Sequence, residues 1–358
     1  MSTRGTSDER VTDEAKSSGP AGTRVRVGIA GRLRRLIGMH HRYPWLLPLL
    51  SFVAGWIGFL MVRRGEGFAR AIALLALLGW VWLLIEPWIR QRLERRRPNM
   101  GKFVVNFVSQ SLQQELLFFS LPFLIGATQR DLGQIGFTAI VAVAALVSTI
   151  DPLYEHVVAR RAARRLLFHA YCSWLSALIV LPMVLLLPVE RALPLSIVAV
   201  TAWLLLTLPL SVRSLKHVVT RVAWVIGVLA LPYVLWEIRA QVPAAGLVVT
   251  SARITQTIDG LNPGEAVRNI ARADLARGVV AYAAIRAPAG LSQQVVFEWH
   301  HNGKQERMAA TIHGGNVDGF RIYSRKRMFP ADATGTWIVD VRTPQEQLLR
   351  RLRFTVGN

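Results

Sequence analysis

Residues 103–123 read FVVNFVSQSLQQELLFFSLPF, and the placing of their polar side chains decides what kind of fold the chain adopts. The stretch lies among Leu-, Val- and Trp-rich runs that recur through residues 44–238. On a helix of about 3.6 residues per turn, Asn106, Ser109, Gln110, Gln113 and Gln114 fall on one contiguous face, with Ser111 and Glu115 on the other. Facing lipid, an amide would lose its water hydrogen bonds without replacement, so the stripe has to face neighbouring helices or a wet cavity. Two readings stay open. One is hydrogen bonding between helices; the other is a substrate- or ion-contacting cavity that uses Glu115 and is opened by a kink at Pro122.

Working outward, a hydrophobic fraction of 52% and a mean hydropathy of +0.33 over 358 residues are too high for an ordinary soluble domain. Seven runs, at about 44–62, 70–88, 103–127, 134–152, 166–187, 193–211 and 222–238, are each near the roughly 20 residues that cross a hydrocarbon core of about 30 Å. The net charge of +21 raises the possibility of nucleic acid, but most of the charge up to residue 221 sits in short blocks between these runs. Arg90 to Arg97 with Lys102, then Arg160, Arg161, Arg164 and Arg165, then Arg213, Lys216 and Arg221 occupy alternate loops. By the positive-inside rule those loops are cytoplasmic. Arg63, Arg64 and Arg70 on the opposite side are the one imperfect fit. The N-terminus is then cytoplasmic and the chain after Trp236 lies across the membrane, in the periplasm of a bacterium.

Residues 1–23 are polar, read as a disordered tail, and lack the apolar core of a cleavable signal peptide. The segment RVRVGIAGRLRRLIGMHHR, 24–42, reads either as a basic interfacial helix on anionic lipid heads or as a solvated tail. Cys172 is the sole cysteine and forms no intramolecular disulfide, so it says nothing of the redox compartment.

From about Gly246 the character changes to short runs rich in Val, Ile, Phe, Trp, Tyr and Thr, separated by turns such as DGLNPGE, GGNVDG and PADATG. Seven such runs in about 110 residues predict an antiparallel, immunoglobulin-like sandwich, without the Cys…Trp…Cys pattern of true immunoglobulin domains. FEWHHNG (297–303), GFRIYSRK (319–326), GTWIVDV (335–341) and RFTV (353–356) together resemble the C-terminal module of a group of proteobacterial membrane proteins classed as a domain of unknown function. In that group a β-rich extracytoplasmic domain follows a helical membrane region, and QQELLFFSLPF (113–123) resembles the regions paired with it. The resemblance implies an inner-membrane location and a periplasmic C-terminus, and carries no catalytic residues.

Three clusters stand out as candidate sites. Asn106, Gln110, Gln113 and Glu115 form the intramembrane polar group. In STIDPLYEHVVARR (148–161), Asp151 and Glu155 are four apart with His156 beside them, a set that can bind a metal, move protons, or be neutralised by the arginines that follow. Alternation puts Arg321, Tyr323 and Arg325 on one strand face, able to contact phosphate, uronate or lipid head groups. Glu86, before Pro87, reads as an interfacial end marker, and His169 as a hydrogen-bonded core histidine. His300 and His301 point to opposite strand faces, and with His313 make a poor zinc case. GxxxxGK[ST], HExxH, GxSxG and CxxC motifs do not occur.

The expected fold is therefore an α-helical polytopic membrane domain of about seven transmembrane helices plus a C-terminal all-β, immunoglobulin-like sandwich. Its divisions are a disordered, basic cytoplasmic segment (1–43), a transmembrane domain (44–240) and a periplasmic domain (246–358). The leading expectation is a non-enzymatic inner-membrane protein whose sandwich binds an envelope protein or glycan. A transporter or membrane enzyme working through the polar group, and a membrane scaffold using the basic segment on anionic lipids, are the alternatives. No cofactor, metal or nucleic acid is expected.

Overall fold

The computed structural model describes residues 66–96, 98–213 and 215–357, with the isolated helical positions Val53 and Ile57. The tail of 1–23, the basic segment of 24–42 and, those two positions apart, the run of 44–62 lie outside the described residues. The other six apolar runs coincide with helices: α1 (Glu66–Arg96), α2 (Pro98–Ala127), α3 (Leu132–Thr149), α5 (Ala162–Val184), α6 (Val189–Arg213) and α7 (Val218–Glu237), with a single-turn α4 (Asp151–Tyr154) after α3. Asp131 starts α3 by accepting hydrogen bonds from the backbone N–H groups of Gly133 and Gln134. Ile150, in extended backbone, ends it. α2 runs on through Pro122 as one helix.

Four of these helices are long and apolar enough to cross a membrane: α3, α5, α6 over Val189–Pro209, and α7 with its continuation to Gln241. α5 is the axis of the bundle. Its residues are buried nearly all round, from Leu166 to Met183, in a core shared with Leu117 and Leu124 of α2, Val141 of α3 and Leu193 and Trp203 of α6. The outer faces of α3, α6 and α7 stay apolar and exposed, as at Ile140, Val143, Val198, Leu206, Val219 and Leu229. In water such surface would cost about 25 cal/mol per Å²; against acyl chains it costs nothing, which fits membrane association.

The region after Gly246 is β-rich. All seven sequence-read runs lie on strands: β1 (Val248–Thr255), β5 (Val279–Arg286), β6 (Ser292–His301), β7 (Lys304–His313), β8 (Phe320–Lys326), β9 (Gly335–Arg342) and β10 (Leu348–Gly357). Three short pieces join them: β2 (Ile258–Asp259), β3 (Asn262–Pro263) and β4 (Asn269–Ala271). One sheet has the order β1-β5-β8 and is antiparallel. A second, five-stranded sheet has the order β4-β10-β9-β6-β7, and its β4 pairs with β10 in parallel, a departure from the all-antiparallel expectation; β2 and β3 pair with each other as a small two-stranded sheet. Ala281, Ala283 and Ile322 from the first sheet and Phe297, Trp299, Val339 and Phe354 from the second share one apolar core. Trp299 Nε1 donates across it to Ser324 Oγ at 2.9 Å. Gly319, at φ +94°, lets the chain enter β8 against β5, where a Cβ would stand 2.9 Å from Ile285 N.

Four polar contacts tie the β-rich region to the helices. Gln134 Nε2, at the start of α3, donates to Leu348 O (2.9 Å), and the backbone N–H of Val189, starting α6, donates to Gln293 Oε1 (2.6 Å). Beyond α7, Val242 O accepts from Gln347 Nε2 (3.0 Å) and Arg239 pairs with Glu346 (2.9 Å). The α3–α5 and α6–α7 turns therefore lie at the opposite end of the bundle, and Arg160, Arg161, Arg164, Arg165, Arg213 and Lys216 are in them or beside them.

Candidate functional site

The polar stripe of α2 meets a charged pair that the sequence reading placed elsewhere. Glu86 on α1 is not an end marker: it is 1% exposed and accepts from Arg90 Nε, one helical turn on, at 2.6 Å. Arg90 Nη1 reaches on to Asn106 Oδ1 at 2.6 Å. His169 of α5, fully buried, has Nε2 3.2 Å from Glu86 Oε2 without hydrogen-bond alignment, while Nδ1 meets Gln113 Nε2. Gln113 Oε1 accepts from Tyr154 Oη at 2.8 Å. If the amide donates to Nδ1, the imidazole carries its proton on Nε2, facing the carboxylate. The outcome is a chain from Tyr154 through Gln113, His169 and Glu86 to Arg90 and Asn106. Trp203 of α6 stacks on His169 with centroids 6.4 Å apart and donates Nε1 to Leu84 O. One connected group thus pins α1, α2, α5 and α6. The signal for it was Glu86 and Arg90 at i, i+4, a spacing that makes an intrahelical ion pair.

Gln110 and Gln114 of the stripe are also engaged, whereas Ser109 Oγ is buried without a hydrogen-bond partner among the described residues. Gln110 Nε2 donates to Ser148 O (3.2 Å) and to Asp151 Oδ1 (2.8 Å), and Gln114 Nε2 donates to Thr149 Oγ1 (3.0 Å). The structure therefore joins two clusters that the sequence kept apart, the stripe and Asp151. Glu155 and His156 are exposed, in a π-helical turn (Glu155–Ala159) that widens the backbone after α4, and His156 O accepts from Arg164 Nη2. Glu115 is half-buried on the other side of α2 and has no hydrogen-bond or ion-pair partner among the described residues.

In the β-rich region Arg321, Tyr323 and Arg325 do share one face of β8, an edge strand. Arg321 donates to Asn262 Oδ1 at 2.6 Å, Tyr323 is 43% exposed, and the enclosed Nε of Arg325 has no acceptor among the described residues. The five-stranded sheet carries a second polar row. Glu298 and Asp340 sit opposite each other on β6 and β9, both buried, between Arg307 of β7, Arg342 of β9 and Arg351 of β10. Like charges side by side are unfavourable unless clamped, and the arginines clamp them. Burial pushes the Asp340 carboxyl up, but hydrogen bonds from Arg351 and Arg342 outweigh it and hold it below the usual carboxylate range. His300 lies on this side, while His301 stacks on Trp337 (4.2 Å) on the other, and His313 packs edge-on to Phe320. Among the described residues no group of three or more His, Cys, Asp or Glu is placed to hold a metal ion.

Among the described residues, a helical region with four membrane-length helices, joined to a β-rich region whose two larger sheets share one core, is the class of protein that these features define. Residues 28–282 match the Family of unknown function (DUF5924), which covers more than half of the chain, so the chain belongs to that family. Residues 292–356 match Protein of unknown function (DUF2914). No curated protein and no solved structure matches the chain. The seam between the two matched regions falls inside the β-rich region. β1 and β5 lie within or across the end of the first match, whereas β8, which pairs with β5, lies in the second.

Proposed function

We propose that the chain is a multi-pass bacterial inner-membrane protein that presents a periplasmic β-sandwich, over about 246–358, for binding an anionic envelope component or a partner protein. The carrying observation is the face of β8, where exposed Arg321 and Tyr323 stand beside half-buried Arg325. A solvated basic and aromatic strand face is what a phosphate or uronate would engage. Two facts support the orientation. The arginine-rich turns gather at the end of the bundle away from the β-rich region, as the positive-inside rule requires of a cytoplasmic face. The sequence carries seven apolar runs, 44–62 the first of them, and an odd number of crossings would put the two termini on opposite sides.

A photo-crosslinker at position 323 of the full-length protein in cells tests this. The reading expects a specific adduct there, reduced when Arg321→Ala and Arg325→Ala are combined; cross-links unchanged by the double substitution would reject that face as the binding surface.

A second reading, transport or membrane enzymology, is favoured by the buried Glu86, Arg90 and His169, since ionisable side chains inside a membrane region mark functional paths. Against it, Asn106, Gln110 and Gln113 already direct their amides at protein partners. A small-molecule adduct at position 110, with none at 323, would move the function into the helices.

A further inference from the structure

Between α3 and α7, floored by α5, runs a groove of about 480 Å³. Its walls are apolar: Ile140 and Ala144 from α3, Leu167 and Tyr171 from α5, Leu231 and Leu235 from α7. All three helices are long and apolar enough to cross a membrane, so the groove lies where acyl chains are the solvent. Arg164 is the one charged residue on its lining among the described residues, and it sits at the end remote from the β-rich region. From Arg164 to Trp174, which also lines the groove, α5 climbs about 15 Å at about 1.5 Å per residue, the depth of one leaflet of a hydrocarbon core of about 30 Å.

The polar groups of the groove point the same way. Arg164 is exposed and uses Nη2 on His156 O at 3.0 Å; a guanidinium has five N–H donors, so it keeps a fork for a phosphate. Arg160 and Arg161 are exposed or nearly so in the preceding turn and add positive charge there. Deeper in, the rings of Tyr171 and Trp174 complete the lining, and Trp174 is only 3% exposed.

We propose that this groove is a site for one anionic phospholipid, its phosphate on Arg164 and one acyl chain along Leu167, Ala144 and Leu231. The site rests on the membrane reading and is independent of what the β8 face binds. It is tested on full-length protein in mixed micelles doped with phosphatidylglycerol or with phosphatidylcholine, counting bound lipid by native mass spectrometry. The expected result is one retained phosphatidylglycerol in preference to phosphatidylcholine. Arg164→Gln should lower that retention about tenfold, as loss of a charge-assisted contact implies, and remove the preference. Ala144→Phe, which fills the groove, should lower retention of both lipids, while Val198→Trp on the exposed face of α6 should leave it unchanged. Equal retention of the two lipids by the unaltered protein, no retained lipid at all, or phosphatidylglycerol binding that survives Arg164→Gln would each overturn the assignment.

Discussion

Glu86→Ala removes the one carboxylate of the buried chain that links α1, α2 and α5. In the native protein its two oxygens face Arg90 at 2.6 Å and His169 at 3.2 Å, and the side chain is 1% exposed, so no water replaces it. Breaking a buried pair by deleting one partner costs about 3–5 kcal/mol, because a charge is left uncompensated. Glu86→Gln keeps an acceptor and the shape but loses the charge, and should cost about 1.5–3 kcal/mol, the worth of hydrogen bonds to charged groups. Deleting both charges, in Glu86→Leu with Arg90→Leu, removes the buried charge along with its partner and should recover much of the loss. Cys172, the sole cysteine, is fully buried on α5 three residues beyond His169. A thiol-reactive dye followed during heating of detergent-solubilised protein therefore reports the opening of this very place. At about 2–4 °C per kcal/mol for a chain of a few hundred residues, Glu86→Ala should melt roughly 10 °C lower. A melting curve for Glu86→Ala that overlays the native one, or a double variant less stable than Glu86→Ala, would refute the reasoning.

Three further outcomes follow from the β-rich region and its attachment. Asp340 is held below the ordinary carboxylate value near 3.9, so its contribution is complete above that value and is lost as pH falls through the lower folded value; below about pH 4 the melting temperature of the native protein should fall more steeply with acid than that of Asp340→Asn. Gln134→Leu deletes both the bond to Leu348 O and the acceptor for the Gln129 N–H, a loss of about 1–3 kcal/mol, and should show as faster hydrogen exchange at Gln129. Residues 292–356 expressed alone lack β5 for β8 and β4 for β10, and should give the collapsed amide spectrum of an unfolded chain; a dispersed spectrum would refute the shared core.

The elements were largely legible in the sequence, because length and periodicity act locally. Runs of about twenty apolar residues became helices, and GTWIVDV or QQVVFEWHH became strands by alternation or by continuous apolar character. β2, β3 and β4 were not legible, since two or three residues carry no period, and the parallel pairing of β4 is fixed by where the chain returns rather than by its own sequence. For the candidate site, the stripe of α2 was readable as a helix face, but its partners were not. Glu86 and Arg90 at a helix end look alike in sequence whether they meet head groups or a histidine 79 or more positions away. The decision is made by packing of α5 against α1, which leaves no local trace.

The pairing of β5 with β8 also sets an order of events during synthesis. β1 and β5 leave the ribosome first, and β5 ends at Arg286 while β8 begins only at Phe320. Until that later strand arrives, β5, buried at every position in the finished protein, presents a bare hydrogen-bonding edge. Such an edge is a template for wrong partners. Premature termination anywhere between 287 and 319 would therefore release a membrane-tethered chain with its stickiest strand uncovered, a ready substrate for quality-control proteases.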